Sequence, residues 1–194
     1  LVEAQRLTYE LGARLARGLR GGIAWLNVGG GFGVPYFPNE KPLDLGPVAE
    51  NLADLARRAR GELGVPLVLE LGRYFVAEAG VYVCRVLERK VSQGQTFLVT
   101  DGGLHHHLAA SGNFGQVIRK NYPVAIGNRM TPTELETVSV VGPLCTPLDL
   151  LADRMELAEA QVGDLVVIFQ SGAYGFTASP QAFLGHPACV ELLV

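Results

Sequence analysis

Three observations on this 194-residue sequence predict an α/β segment followed by a mostly antiparallel β domain. Helix-like and strand-like stretches alternate from the N-terminus to about residue 75. After Arg73, short runs rich in Val, Leu, Ile, Thr and Phe are separated by Gly, Asn and Pro, as in β-structure joined by turns. Hydrophobic residues make up 48% of the chain, enough for a sizeable core and too many for disorder. The expected division is residues 1–78 as the α/β unit and residues 79–194 as the β domain.

The elements are read in order. Ala4, Leu7, Leu11 and Leu15 form one stripe of a helix over 3–18, which Gly21-Gly22 ends. Residues 23–28 read as an apolar strand. Pro35, Pro38 and Pro42 then mark an irregular loop. Gly46-Pro47 opens a second helix, with proline in its first turn. Val48, Leu52, Leu55, Ala56, Ala59 and Leu63 form its buried face, and Gly64 closes it. Residues 66–70 read as a buried parallel strand. This rhythm suits an α/β barrel and a doubly wound sheet equally. A short helix is expected at 77–83, strands at 86–91, 96–100, 138–141, 165–169 and 190–194, and one interrupting helix at about 147–154.

Charge and composition exclude several classes. The net charge of −3 lacks the basic excess of a nucleic-acid surface. No apolar run reaches the roughly 18 residues of a membrane span. Cys84, Cys145 and Cys189 are too few and too scattered for a disulfide framework or a zinc set, so a reducing, cytoplasmic setting is expected. Consecutive side chains of His105-His106-His107 point in different directions, and no metal site is expected there.

Four motifs carry chemistry. Asn27-Val28-Gly29-Gly30-Gly31-Phe32-Gly33 follows a strand with a bare backbone turn that can close on a phosphate. It lacks the Gly-Lys-Ser/Thr of a P-loop, and Val34 breaks the dinucleotide fingerprint. Glu70-Leu71-Gly72-Arg73 ends the second strand, where a carboxylate faces the site of an α/β barrel and an arginine can fork onto an anion. In Gly142-Pro143-Leu144-Cys145-Thr146-Pro147-Leu148-Asp149, Thr146 reads as an N-cap, with Pro147 and Asp149 in the first turn. Cys145 then precedes a helix N-terminus, where a thiol is acidified. Gly172-Ala173-Tyr174-Gly175 holds a tyrosine on a turn, its hydroxyl placed to donate to an anion. Singly, each motif is also what a plain turn, a surface ion pair or a capped helix looks like.

In this order, Asn-x-Gly-Gly-Gly-Phe-Gly, Glu-x-Gly-Arg-Tyr-x-Val-Ala, Gly-Pro-x-Cys-x-x-x-Asp and Gly-Ala-Tyr resemble the barrel-type (fold-type III) pyridoxal phosphate (PLP) decarboxylases, those of diaminopimelate, ornithine and arginine. The resemblance runs from about residue 20 to 194. The wording Cys-Thr-Pro-Leu-Asp and the segment Asn113 to Ile118 look like the decarboxylases associated with exosortase A gene clusters, whose relatives act on carrier-protein-bound amino acids.

The resemblance implies an alanine-racemase-like (β/α)8 barrel, here its C-terminal part, followed by the β domain. It implies that Gly29, Gly30 and Gly31 hold the PLP phosphate with Gly72 and Arg73, that Glu70 faces the pyridine nitrogen, and that Tyr174 lies near the phosphate. Cys145 becomes the acid that returns a proton to the substrate carbon after CO2 leaves, reaching the partner subunit's site in a homodimer. Leu71 replaces the family's usual proline. Thr146 stands where the diaminopimelate and ornithine enzymes carry an acid that reads a distal amine, so a neutral or acylated distal group is expected in the amino-acid or carrier-protein-bound substrate. The family's Schiff-base lysine motif is not found: Lys41, Lys90 and Lys120 do not match it. The chain is therefore expected to be the C-terminal half of a longer enzyme, inactive alone. A non-catalytic family member acting in dimerisation or partner binding stays open beside this reading. A barrel enzyme acting on a sugar phosphate accounts for the glycine turn only.

Overall fold

The computed structural model describes residues 1–37 and 40–194. Pro38, assigned above to an irregular loop, falls outside the described residues. The chain divides into two compact units, Leu1–Pro35 with Lys41–Phe75 and Tyr36–Glu40 with Val76–Val194.

The first unit alternates helix and strand. Helix α1 (Val2–Gly18) is followed by β1 (Leu26–Asn27), α2 (Leu45–Arg58), β2 (Leu67–Val68) and the short α3 (Gly72–Val76). Asp44 caps α2, its carboxylate accepting from the Gly46 amide at 3.0 Å. The end of α2 widens into a π-helical turn (Ala59–Leu63), which Gly64 stops with a left-handed φ of 71°. The expected apolar face of α2 packs inward: Val48, Leu55 and Ala59 are buried, and Leu52, Ala56 and Leu63 are half-buried. Strands β1 and β2 pair in parallel, Leu26 opposite Leu67 and Asn27 opposite Val68. Both are shorter than expected at 23–28 and 66–70, because β1 bends away at Gly29, whose φ is 79°.

The leucine stripe of α1 faces the other way from a core. Leu7, Leu11 and Leu15 are 64%, 49% and 60% exposed, and the buried face is Gln5, Tyr9, Ala13 and Ala16. Small residues let the helix come close: a Cβ on Gly12 would run into Leu26. Tyr9 and Ala13 join Leu26, Val28, Leu55, Ala59 and Val65 in one core. The amide of buried Asn51 donates to Gln5 Oε1 at 3.0 Å, fastening α2 to α1. Periodicity identifies a helix; it does not identify which of two similar stripes the chain itself covers.

The second unit is a six-stranded sheet. It comprises β3 (Tyr82–Ser92), β4 (Gln95–Thr100), β5 (Val124–Ile126), β6 (Leu135–Val141), β7 (Leu150–Ala158) and β8 (Leu165–Ile168), in the order β5-β8-β3-β4-β6-β7. Every pairing is antiparallel except β4 with β6. Positive φ at Gln93 (51°) and Gly94 (75°) makes the two-residue turn between β3 and β4. The outer strands β5 and β7 return to one another. Asn121, just before β5, bridges them, donating to Asp153 O at 2.7 Å and accepting from Asp153 N at 2.8 Å. Val86, Leu98, Ile126, Val138, Val140, Leu151, Val166 and Ile168 are buried.

Three local expectations are overturned here. No helix forms at 147–154; that stretch becomes strand β7, antiparallel to β6. Its capping residues serve a turn instead: Thr146 Oγ1 accepts from Leu148 N at 3.3 Å, and Asp149 turns inward. The helix expected at 77–83 ends earlier. After α3 comes one 3-10 turn (Ala77–Ala79), and Tyr82 already opens β3. Gly80 and Gly172 force this change, since their backbones touch and a Cβ on Gly172 would strike the Val76 carbonyl. Finally, residues 190–194 form no strand and are exposed. Apolar and β-branched residues make a strand only where a sheet edge offers backbone partners.

Candidate active site

The first unit builds one constellation at the ends of β1 and β2. The parallel ladder continues past both strands: Val28 N donates to Val68 O at 3.1 Å, and Glu70 N to Gly29 O at 3.0 Å. Glu70 is thereby pinned to the glycine turn. Gly30 lies so close to Glu70 that a Cβ there would overlap the Glu70 carbonyl. Gly29 and Gly31 both take φ of 79°, which folds the turn back on itself. Where a Cβ of Gly29 would project, no atom of the described residues other than its chain neighbours lies within 4 Å. The turn is therefore closed on its Glu70 side and bare on its outer side, which fits an anion approaching backbone N–H groups.

Asn27 ties these parts together. Its Oδ1 accepts from Gly29 N at 2.7 Å, and its Nδ2 donates to Glu70 Oε1 at 2.5 Å. Gly72 and Arg73 follow on α3, where Tyr74 packs edge-on against Phe32 of the glycine loop at 5.5 Å. A Cβ on Gly72 would meet nothing within 4 Å, so no neighbour in the chain demands a glycine there. Gly29, Gly30 and Glu70 are thus in direct contact, with Gly72 and Arg73 just beyond on the same chain segment.

Cys145 and Tyr174 belong to the second unit. Cys145 is exposed at the tip of the 142–149 turn. The helix expected to acidify its thiol is not there, so the helix-dipole argument falls. Asp149 shapes this turn. Only 3% exposed, it accepts from Leu104 N at 2.7 Å and Leu144 N at 2.8 Å. It packs against Gly103 and Gly142, where any Cβ would overlap its carboxylate. Burial pushes its pKa up, and the two backbone donors pull the other way. Tyr174 takes a left-handed φ of 58°, unusual for a non-glycine residue, and its ring lies 5.5 Å from Phe114.

Two of the three histidines, His106 and His107, are tied into the second unit by hydrogen bonds. His106 bridges the Tyr82 hydroxyl at 2.9 Å and the Pro187 carbonyl at 2.7 Å, and His107 meets Ser171 Oγ at 2.9 Å. Burial pulls the pKa of both His105 and His107 down to about 4. Among the described residues, no group of three or more His, Cys, Asp or Glu is placed to hold a metal ion. No described helix is long and apolar enough to cross a membrane.

Residue-by-residue reading missed Asn27 and Asp149 as organisers. The signal for Asn27 was present: an Asn two residues before a glycine at a strand end is an Asx-turn pattern. For Asp149 one partner is local, the Leu144 amide five positions before it, and the other is not, since its second oxygen serves Leu104, 45 positions away in sequence.

Comparison with known proteins agrees with this architecture. A family model described as pyridoxal-dependent decarboxylase, C-terminal sheet domain, matches residues 24–172. The L-glutamyl-[BtrI acyl-carrier protein] decarboxylase of Niallia circulans is 42% identical over 200 residues, covering 100% of this chain and 46% of that protein. The diaminopimelate decarboxylase of Archaeoglobus fulgidus is 33% identical over 174 residues, covering 89% of this chain and 40% of its own length. The crystal structure of diaminopimelate decarboxylase from Helicobacter pylori complexed with L-lysine superposes with a TM-score of 0.72 at 28% identity, covering 92% of this chain and 42% of that one. The chain thus spans less than half the length of these relatives. With the motifs, the sheet and the relatives in agreement, the chain belongs to the pyridoxal-dependent decarboxylase family and carries its C-terminal sheet domain.

Proposed function

We propose that this chain forms the C-terminal half of a cytoplasmic, homodimeric PLP-dependent decarboxylase, of the kind associated with exosortase A gene clusters. Its substrate is an amino acid or a carrier-protein-bound amino-acyl group. Residues 1–78 are the last part of the cofactor barrel, and residues 79–194 are the β domain. One observation carries the reading: a bare glycine turn and the strand-end carboxylate of Glu70 are locked together, Glu70 N to Gly29 O at 3.0 Å. An anion subsite and a fixed carboxylate side by side suit a ligand with a phosphate at one end and a basic ring nitrogen at the other.

In this reading Gly29, Gly30 and Gly31, with Gly72 and Arg73, hold the phosphate, and Tyr174 donates to it. Glu70 faces the ring nitrogen and keeps it protonated. When bound, the cofactor supplies an electron sink for the charge left as CO2 departs. Cys145, exposed on its turn, reaches the partner subunit's site and returns a proton to the substrate carbon. Thr146 offers no charge to a distal ammonium, which favours a substrate whose distal end is neutral or acylated. The acyl-carrier-protein decarboxylase relative supports the same class.

The test is a substrate panel on the full-length, PLP-loaded protein, read as CO2 release. Glutamyl carrier protein and other carrier-bound amino acids are expected to turn over, with free diaminopimelate and ornithine at least tenfold slower. Efficient turnover of diaminopimelate or ornithine would overturn the substrate class. Silence across the panel favours the non-catalytic alternative.

A further inference from the structure

We infer that Asn27 is a positioning residue that sets the orientation of the Glu70 carboxylate by way of the glycine turn. The inference rests on the proposed role of Glu70 at the cofactor ring and deepens it. Its geometry is independent of that role. Gly29 N–H can only donate, so the atom of the Asn27 amide facing it at 2.7 Å must be Oδ1. The amide is therefore fixed against flipping, and its other end must be Nδ2. That N–H group can only donate as well, and it meets Glu70 Oε1 at 2.5 Å. One oxygen of Glu70 is thus held by Asn27.

The backbone repeats the connection. Asn27 pairs with Val68 in the parallel ladder, and Glu70 N donates to Gly29 O two steps further on. Glu70 is held to the end of β1 twice, by a side-chain bond to Asn27, 43 positions away in sequence, and by a backbone bond to Gly29. A carboxylate on a flexible stem would otherwise sample several rotamers about its two methylene groups. Anchoring it to the turn that takes the phosphate fixes the spacing between the two ends of a rigid cofactor.

The experiment is a double-mutant cycle in the full-length protein loaded with PLP carrying a 15N-labelled ring nitrogen. The variants are Asn27→Ala, Asn27→Asp, Glu70→Ala and Asn27→Ala combined with Glu70→Ala. The readouts are the ring-nitrogen chemical shift, cofactor affinity, kcat and KM. Asn27→Ala is expected to move the nitrogen shift toward that of Glu70→Ala and to lower kcat about 10- to 100-fold, with KM little changed. Asn27→Asp keeps an acceptor for Gly29 N–H but replaces the donor to Glu70 with a second carboxylate at hydrogen-bond distance. It is expected to move the nitrogen shift at least as far as Ala does. In the Glu70→Ala background, removing Asn27 is expected to change the nitrogen shift no further. Additive effects in the cycle, or an Asn27→Asp signal identical to wild type, would overturn the inference while leaving the role of Glu70 intact. A nitrogen shift unmoved by Glu70→Ala overturns the functional reading itself.

Discussion

Replacing Asp149 tests how the Cys145 turn is held. The carboxylate is 3% exposed and takes two backbone N–H bonds, 2.7 Å from Leu104 and 2.8 Å from Leu144. Asp149→Ala leaves both amides buried and unpaired, and each such group is worth about 1–3 kcal/mol, so a loss of about 2–6 kcal/mol follows. Asp149→Asn keeps the shape but turns one N–H toward an amide donor, a loss of about 1–3 kcal/mol. Relief of the burial penalty on the carboxylate offsets part of that second figure, because burial already pushes the Asp149 pKa up. Urea unfolding at pH 7 reads both variants, with m-values compared to confirm a common transition. The order must be wild type, then Asn, then Ala. If both variants unfold at the wild-type midpoint, Asp149 does not organise the turn.

Three further predictions concern one histidine and two glycines. His107 is 1% exposed and its pKa is pulled from 6.5 down to about 4 by burial, so the folded state favours the neutral ring. Between those values the unfolded chain binds more protons. The His107 contribution is therefore full above pH 6.5 and lost as pH falls toward about 4, amounting to about 3 kcal/mol. Unfolding free energy should fall from pH 7 to 4.5, and His107→Gln should flatten that slope; equal slopes in the two proteins would refute it. Gly172→Ala should destabilise by more than about 2 kcal/mol, because its Cβ would strike the Val76 carbonyl. Gly72→Ala meets open space within α3 and should leave the unfolding free energy within about 1 kcal/mol of wild type while weakening cofactor retention. A stable Gly172→Ala protein, or an unstable Gly72→Ala protein, contradicts the packing described.

The elements that could be read in advance are those whose signals are local. Helix α2 has its cap at Asp44, its apolar face from Val48 to Ala59 and its stop at Gly64, all within one segment. The parallel neighbours β1 and β2 and the four chemistry-bearing motifs likewise lie on contiguous residues. The errors share one cause. Thr146-Pro147-Leu148-Asp149 is a good helix start in isolation, but Leu104 N and β6 compete for the same residues from far away. The leucine stripe of α1 is a true helical face, and only the packing of Tyr9, Ala13 and Gly12 against the rest of the unit shows which face turns inward. The apolar residues 190–194 lack any strand alongside them.

Residue chemistry alone was enough to identify a glycine turn, a strand-end acid and the rhythm of an α/β unit leading into β-structure, while the family came from the resemblance of four motifs taken in order. Those properties depend on neighbours in the chain, where torsional preference and spacing act directly. Contacts across tens of residues were needed to make 150–158 a strand, to turn Asp149 inward and to join Asn27 to Glu70. A side chain's partner is chosen by whichever donor the folded backbone brings within about 3 Å, and that distance is a property of the whole sheet and not of the segment.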